Sequence, residues 1–330
     1  MFAALQSRSA ALTAGAILTL FSLYLPAKSE APQQSPIELV REAANNEAAS
    51  STGPGLHFMF RDTKKGPQLS QTKLIVETRE ATAGMLIAQN GQPLSPGEQQ
   101  AEEARLENYL HQPAELTKKR KQEKEDSERT LRILKALPDA FLYESIGTVN
   151  ASPGIGHMGH PLVRLKFRPN PAYQPPTHVE QVLTGMRGEL LIDPQEKRIA
   201  EIDGTLEKEV GFGWGILGHL DRGGHFLVDQ ADVGENQWEV TRMMLDFTGK
   251  ILVVKHLSLH SNEEFSDFRV VPPDLTFAQG IELLKKEIAK NAAAGREGAK
   301  NLISTSQARP TEQSRNTGKD EAQEILCCNR

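Results

Sequence analysis

Two stretches of this chain alternate apolar and polar positions with the period of a strand, and helix-period sequence lies between and after them. Leu56–Arg61 and Thr72–Arg79 read as strands separated by Lys64-Lys65-Gly66-Pro67, and Gly84–Gln89 is a third short run ahead of the turn signal Asn90-Gly91. At Ser95-Pro96-Gly97-Glu98 an N-cap residue, a first-turn proline and an acidic residue three positions on predict a helix start. That helix runs to about His111, and a second is predicted from Ala114 to Leu137, ended by Pro138. From Asp139 to Phe268 strand patterns return at Leu162–Arg168, Gly188–Asp193, Arg198–Asp203, His225–Asp232, Gln237–Phe247 and Lys250–His260. A turn at Pro194-Gln195-Glu196-Lys197 joins the second and third of these. Trp238, Val240 and Met244 share one strand face and Met243, Leu245 and Phe247 the other, the mark of a strand covered on both sides. A terminal helix is predicted over Leu275–Ala293.

This pattern implies an α+β fold, a curved antiparallel sheet forming an incomplete barrel, packed with helices and carrying a helical insertion at 95–137. The main domain spans 56–268, with a C-terminal helix at 269–294. Segment 32–55 is polar and proline-bearing and reads as a linker, with a short helix at Ile37–Ala44. Segment 295–330 is polar, weakly patterned and expected to be disordered.

The N-terminus changes the picture of where the chain works. Arg8 precedes an uncharged stretch, Ser9–Ala27, and polar sequence resumes at Lys28-Ser29-Glu30-Ala31. A basic start, an apolar core and a small-residue exit describe a signal peptide over 1–31, cleaved before Lys28 or Pro32, and imply a periplasmic or secreted protein. An uncleaved membrane anchor is the alternative, because the run approaches the ~20 residues that span a bilayer.

The net charge of −5 becomes −6 once Arg8, Lys28 and Glu30 are removed, which leaves no basic face and no case for nucleic acid as a partner. The Lys118-to-Arg132 stretch interleaves Glu123, Glu125, Asp126 and Glu128 with its lysines and arginines, as a solvated helix face does. Cys327 and Cys328 are adjacent and have no distant partner, so no disulfide framework supports the fold.

Candidate chemistry is sparse. Gly-x-Gly-x-x-Gly occurs at Gly154/Gly156/Gly159 and Gly213/Gly215/Gly218, but neither copy has the strand before it and the helix after it that a dinucleotide needs. Tight turns explain both, and no cofactor is expected. His157 and His160 offer two imidazoles to a metal whose remaining ligands must come from Asp or Glu elsewhere, since no HExxH pair is present. Asp193, Glu201 and Asp203 fall near strand ends, where carboxylates are common turn residues. The large apolar residues Phe212, Trp214, Trp238 and Met244 are the candidate contacts for an apolar ligand held against a concave sheet.

Arg187-Gly-Glu-Leu-Leu-Ile-Asp-Pro194, Lys197-Arg-Ile-Ala-Glu-Ile-Asp-Gly204, Phe212-Gly-Trp-Gly-Ile-Leu-Gly218 and the upstream Leu165–Tyr173 resemble uncharacterised exported bacterial proteins. These in turn look like the outer-membrane lipoprotein carrier (LolA/LolB-like) superfamily. The resemblance covers roughly Leu56–Phe268 and implies an incomplete antiparallel barrel closed by helices, with an apolar concavity for a lipid or lipoprotein. The charged insertion at Glu98–Leu137 departs from that pattern. Three functions follow as expectations. The first is a non-enzymatic binding or carrier protein of the cell envelope. The second is an envelope metal-dependent hydrolase using His157 and His160. The third is a structural or regulatory protein that docks an envelope partner on the Lys118–Arg132 helix.

Overall fold

The computed structural model describes residues 34–307 except 54, 213–217 and 252–254. The signal-peptide segment 1–31, Trp214 and the Cys327-Cys328 pair lie outside the described residues. No helix among the described residues is long and apolar enough to cross a membrane.

Helix α1 spans Pro36–Thr52 and is followed by strands β1 (His57–Lys65), β2 (Ser70–Val76), β3 (Ala83–Gln89) and β4 (Gln92–Pro93). Helices α2 (Pro96–His111) and α3 (Pro113–Ala140) come next, then β5 (Phe141–Asn150) and β6 (Pro161–Pro169). The short helix α4 (His178–Gln181) and a 3₁₀ turn lead into β7 (Met186–Asp193) and β8 (Arg198–Leu206). The rest is β9 (Val210–Phe212), β10 (Gly218–Leu220), β11 (His225–Asp232), β12 (Trp238–Ile251), β13 (Lys255–Val271) and helix α5 (Phe277–Gln307). The strands form one antiparallel sheet in the order β4-β3-β2-β1-β13-β12-β11-β8-β7-β6-β5, open rather than closed into a barrel, with β9 and β10 attached beside β12. The expected α+β class and open antiparallel sheet are therefore observed.

Segment 32–55 is not a linker. Ser35 caps α1, its side chain accepting from the Glu38 N–H, and Pro36 takes the first helical position. The helix buries Leu39, Val40, Ala43, Ala44, Glu47 and Ala48. Mostly small side chains bring its axis close to the sheet, and that small-residue stripe is why the apolar pattern understates it. Helix α3 passes through Pro138 and ends at Ala140. The proline stands in the last turn, so the helix ends within two residues of it, and the Tyr143 hydroxyl donates to the Leu137 carbonyl, one of the terminal carbonyls without an intrahelical partner, at 2.7 Å. The runs at Gln237–Phe247 and Lys250–His260 do not divide where the pattern suggested, because β12 continues to Ile251 and β13 continues to Val271. Helix α5 extends to Gln307, into the segment expected to be disordered, while 308–330 lie outside the described residues.

Two large apolar cores and a smaller third cluster result among the described residues. One packs Leu39, Val40 and Ala43 of α1 and Leu137 and Ala140 of α3 onto Leu165, Phe167, Leu190, Ile192 and Ile199. The other packs α2 and α5, through Leu106, Phe277, Ile281 and Leu284, onto Met59, Leu74, Val76 and Met85. Cross-strand register carries these to opposite sides of the sheet, since residues level with Leu245 of the first core run through Ser261 and Glu263 to Lys64, one position out of step with Met59 and Leu74. On the far side from α1, β6, β7, β8 and β11 present a row of Lys166, Glu189, Asp203 and Leu227, and beside it Arg164, Leu191, Glu201 and Asp229.

That row contains an acid pair. Glu201 and Asp229 are register partners on β8 and β11. Burial, then Asp229, Asp203 and Glu189, push the Glu201 carboxyl up to about 7, with Arg164 opposing, and burial raises Asp229 as well. A carboxyl whose folded pKa lies above its unfolded value holds a proton in the native state that the unfolded chain has released. Stability is therefore lost as pH rises from about 4.5 towards 7. Glu201→Gln should leave stability at pH 5 nearly unchanged and add about 1–2 kcal/mol at pH 8, after allowance for solvent screening. Urea unfolding at the two pH values checks this, and an equal effect at both removes the explanation.

Candidate functional site

The loop between β5 and β6 is folded by its glycines. Gly154, Gly156 and Gly159 all hold positive φ (84°, 79° and 93°), so the first Gly-x-Gly-x-x-Gly copy is a turn device, as expected. At Gly156 a Cβ would stand 3.0 Å from Leu162, so the backbone there also lies close on the core. Register pairing of β8 with β11 stops at Glu201–Asp229. Beyond it the Gly156 N–H donates to the Gln230 carbonyl at 2.8 Å, and the Thr241 hydroxyl donates to the Gly154 carbonyl at 2.6 Å. Leu162, Leu191, Ala200 and Trp238 form an apolar base beneath, with Val149, Ala151 and Ile155 packed against it.

The fold of this loop stacks the two histidine rings, with centroids 4.3 Å apart and planes 14° from parallel. The β7–β8 turn and the end of β11 bring three carboxylates to them. The Asp193 side chain accepts from the N–H groups of Gln195 (2.8 Å) and Glu196 (3.1 Å), which shapes the turn, and its other oxygen lies 2.7 Å from His160 Nδ1. Glu196 Oε1 lies 2.9 Å from His157 Nδ1 and 3.7 Å from His160 Nδ1. Asp232 Oδ2 stands 3.0 Å from His157 Nδ1. Asp193 is fully buried, whereas the histidine side chains keep 30% and 24% of their surface in solvent. His157 Nδ1 is itself buried, and neither carboxylate near it is aligned to accept a hydrogen bond from it.

The other oxygen of Glu196 is fixed from below. Trp238 Nε1 donates to Glu196 Oε2 at 2.6 Å. The Arg198 guanidinium lies 5.6 Å from the indole centroid, and it donates through Nε and Nη2 to the two oxygens of Glu47, each at 2.9 Å. Glu47 also accepts the Ile199 N–H at 3.0 Å. The β7–β8 turn is thus held between α1 on one side and the histidine loop on the other.

One donor atom each from His157, His160 and Glu196 lies within 4.8 Å of the others, a spacing that suits a single metal ion. Glu209, His219 and Asp221, at the β9–β10 hairpin, form a second such group that is more open. Comparison with known proteins finds no family model, curated protein or solved structure that matches this chain. The site must therefore be read from its own geometry.

The three apolar candidates among the described residues do not converge. Phe212 packs against the α1-side core. Met244 sits on β12 opposite Leu227 and Asn262, on the other face of the sheet. Trp238 lies in the base of the histidine site, and Trp214 is outside the described residues. The groove along β5, β6 and β7 is lined by Glu144, Lys166, Arg168, Arg187 and Glu189 together with Leu142, Tyr143 and Phe167, a mixed charged and apolar lining. Sequence reasoning found His157 and His160 as a pair and Trp238 as an apolar contact. It read Asp193 only as a turn residue and missed Glu196, Asp232, Arg198 and Glu47.

Proposed function

We propose that this protein binds a first-row transition-metal ion through His157, His160 and Glu196. The observation that supports this reading is the convergence of both imidazole Nδ1 atoms on one carboxylate oxygen, at 2.9 and 3.7 Å. Donors ~2.1 Å from a tetrahedral ion stand ~3.4 Å from one another, between those two distances. An ion pair alone accounts less well for the arrangement. Charging both rings would put like charges in a 4.3 Å stack, and His157 Nδ1 has no aligned acceptor. Asp193 Oδ2 and Asp232 Oδ2 stand 2.7 and 3.0 Å from His160 Nδ1 and His157 Nδ1, so they are further oxygen donors to the ion rather than outer carboxylates, which bond the opposite ring nitrogen. Two imidazole nitrogens beside carboxylate oxygens suit zinc or its neighbours better than calcium or magnesium. The partly exposed rings leave room for water in a remaining position. This is a binding function, which takes the metal from the second expectation and leaves the hydrolysis aside.

Metal titration against a chromogenic chelator tests the reading. One equivalent of Zn2+ should bind to the wild-type chain and none to His157→Ala/His160→Ala. Saturation at 100 times Kd should stabilise the wild type alone by about 2.7 kcal/mol. Equal binding by both proteins, or none by the wild type, would overturn it.

A further inference from the structure

We infer that Trp238 sets the metal selectivity of this centre. The inference rests on the metal-binding reading above and adds a residue to it. A carboxylate can offer a metal one oxygen or two, and that choice separates cation classes. Calcium takes six to eight oxygens and gains from bidentate carboxylates, whereas zinc is satisfied by one oxygen beside imidazole nitrogens. The indole N–H is hydrogen-bonded to Glu196 Oε2 at 2.6 Å, while Oε1 faces the two histidines. One oxygen is thereby occupied and the carboxylate plane is fixed, leaving Glu196 a one-oxygen ligand.

The indole is well placed to impose this. Trp238 is buried at the start of β12 among Leu162, Leu191 and Ala200, and Arg198, clamped by Glu47, lies over its ring. The Glu196 backbone is held by its N–H donating to Asp193 at 3.1 Å, so the indole bond is what orients its carboxylate. Trp238 is therefore a positioning residue, acting on the metal through Glu196 and never touching it.

The experiment compares Zn2+ and Ca2+ binding by the full chain in the wild type and in Trp238→Phe, which keeps a ring in the base and deletes only the N–H donor and part of the bulk. The variant should lose 10–100-fold in Zn2+ affinity, the usual effect of removing an outer hydrogen bond to a ligand. Its Zn2+/Ca2+ affinity ratio should narrow, which a general loss of packing would not produce. An unchanged Zn2+ affinity and ratio in a folded variant would refute the role of Trp238 while leaving the metal reading intact. Absence of Zn2+ binding by the wild type would instead remove both. If Trp238→Phe fails to fold, the indole N–H resonance decides the matter in 15N-labelled protein carrying Trp214→Phe. Zn2+ should shift the Trp238 signal and Ca2+ should not, and a signal indifferent to Zn2+ would refute the proposal.

Discussion

Glu47→Ala is expected to cost about 3–5 kcal/mol, the usual penalty for removing one partner of a buried ion pair. Glu47 is 6% exposed and sits in the middle of α1, facing the sheet. Its two oxygens take both arms of Arg198 and also the Ile199 N–H. The alanine variant thus leaves a guanidinium only 14% exposed without its counter-charge, and a buried backbone donor without an acceptor. Urea unfolding should show the midpoint falling without a change in slope. Pairing Glu47→Leu with Arg198→Met should recover much of the loss, because an apolar pair leaves no stranded charge. A single-variant loss below 1 kcal/mol would mean that α1 is not held through this contact.

The second large effect is expected at the other core. Phe277→Ala should cost about 3–5 kcal/mol, the range for truncating a buried aromatic. Phe277 is 1% exposed and meets Tyr109 edge-on at a centroid distance of 5.8 Å, which joins α5 to α2. Its backbone N–H also donates to Glu80, which ties the helix start to the segment between β2 and β3. Thermal unfolding is the direct measure. A loss near 1 kcal/mol would show that the α2–α5 layer closes over the gap.

Elements with a strong local signature could be read in the sequence. The capping box at Ser95 and Glu98 forms as its spacing predicts, and Asn90-Gly91 takes the left-handed turn conformation that joins β3 to β4. The turn at Pro194–Lys197 likewise lies where the flanking strands required it. Helix α1 was harder to read because its inward face is largely alanine, so it carries little apolar contrast. The site shows the same division. His157 and His160 are three residues apart and visible as a pair, whereas Asp193, Glu196 and Asp232 reach them only through the pairing of β5 to β8 and β11. For Trp238 the size of the side chain pointed to its apolar packing, while the bond from its indole N–H to Glu196 could be seen only in the fold.

The strand order has a consequence for the nascent chain. β1 pairs with β13 from His57↔Val271 to Lys64↔Glu263, so the first of the described strands waits for the last. Until residue 271 has left the ribosome, β1 to β4 form a patch with a bare edge at β1, and β5 to β12 form another with a bare edge at β12. Long-range pairing of this kind folds slowly, and open edges attract other chains in the interval. Arrival of β13 joins the two patches and covers both edges in one step. A chain stopped short of that strand carries the α1-side core in outline, but it lacks the α5 half of the other core and has no continuous sheet.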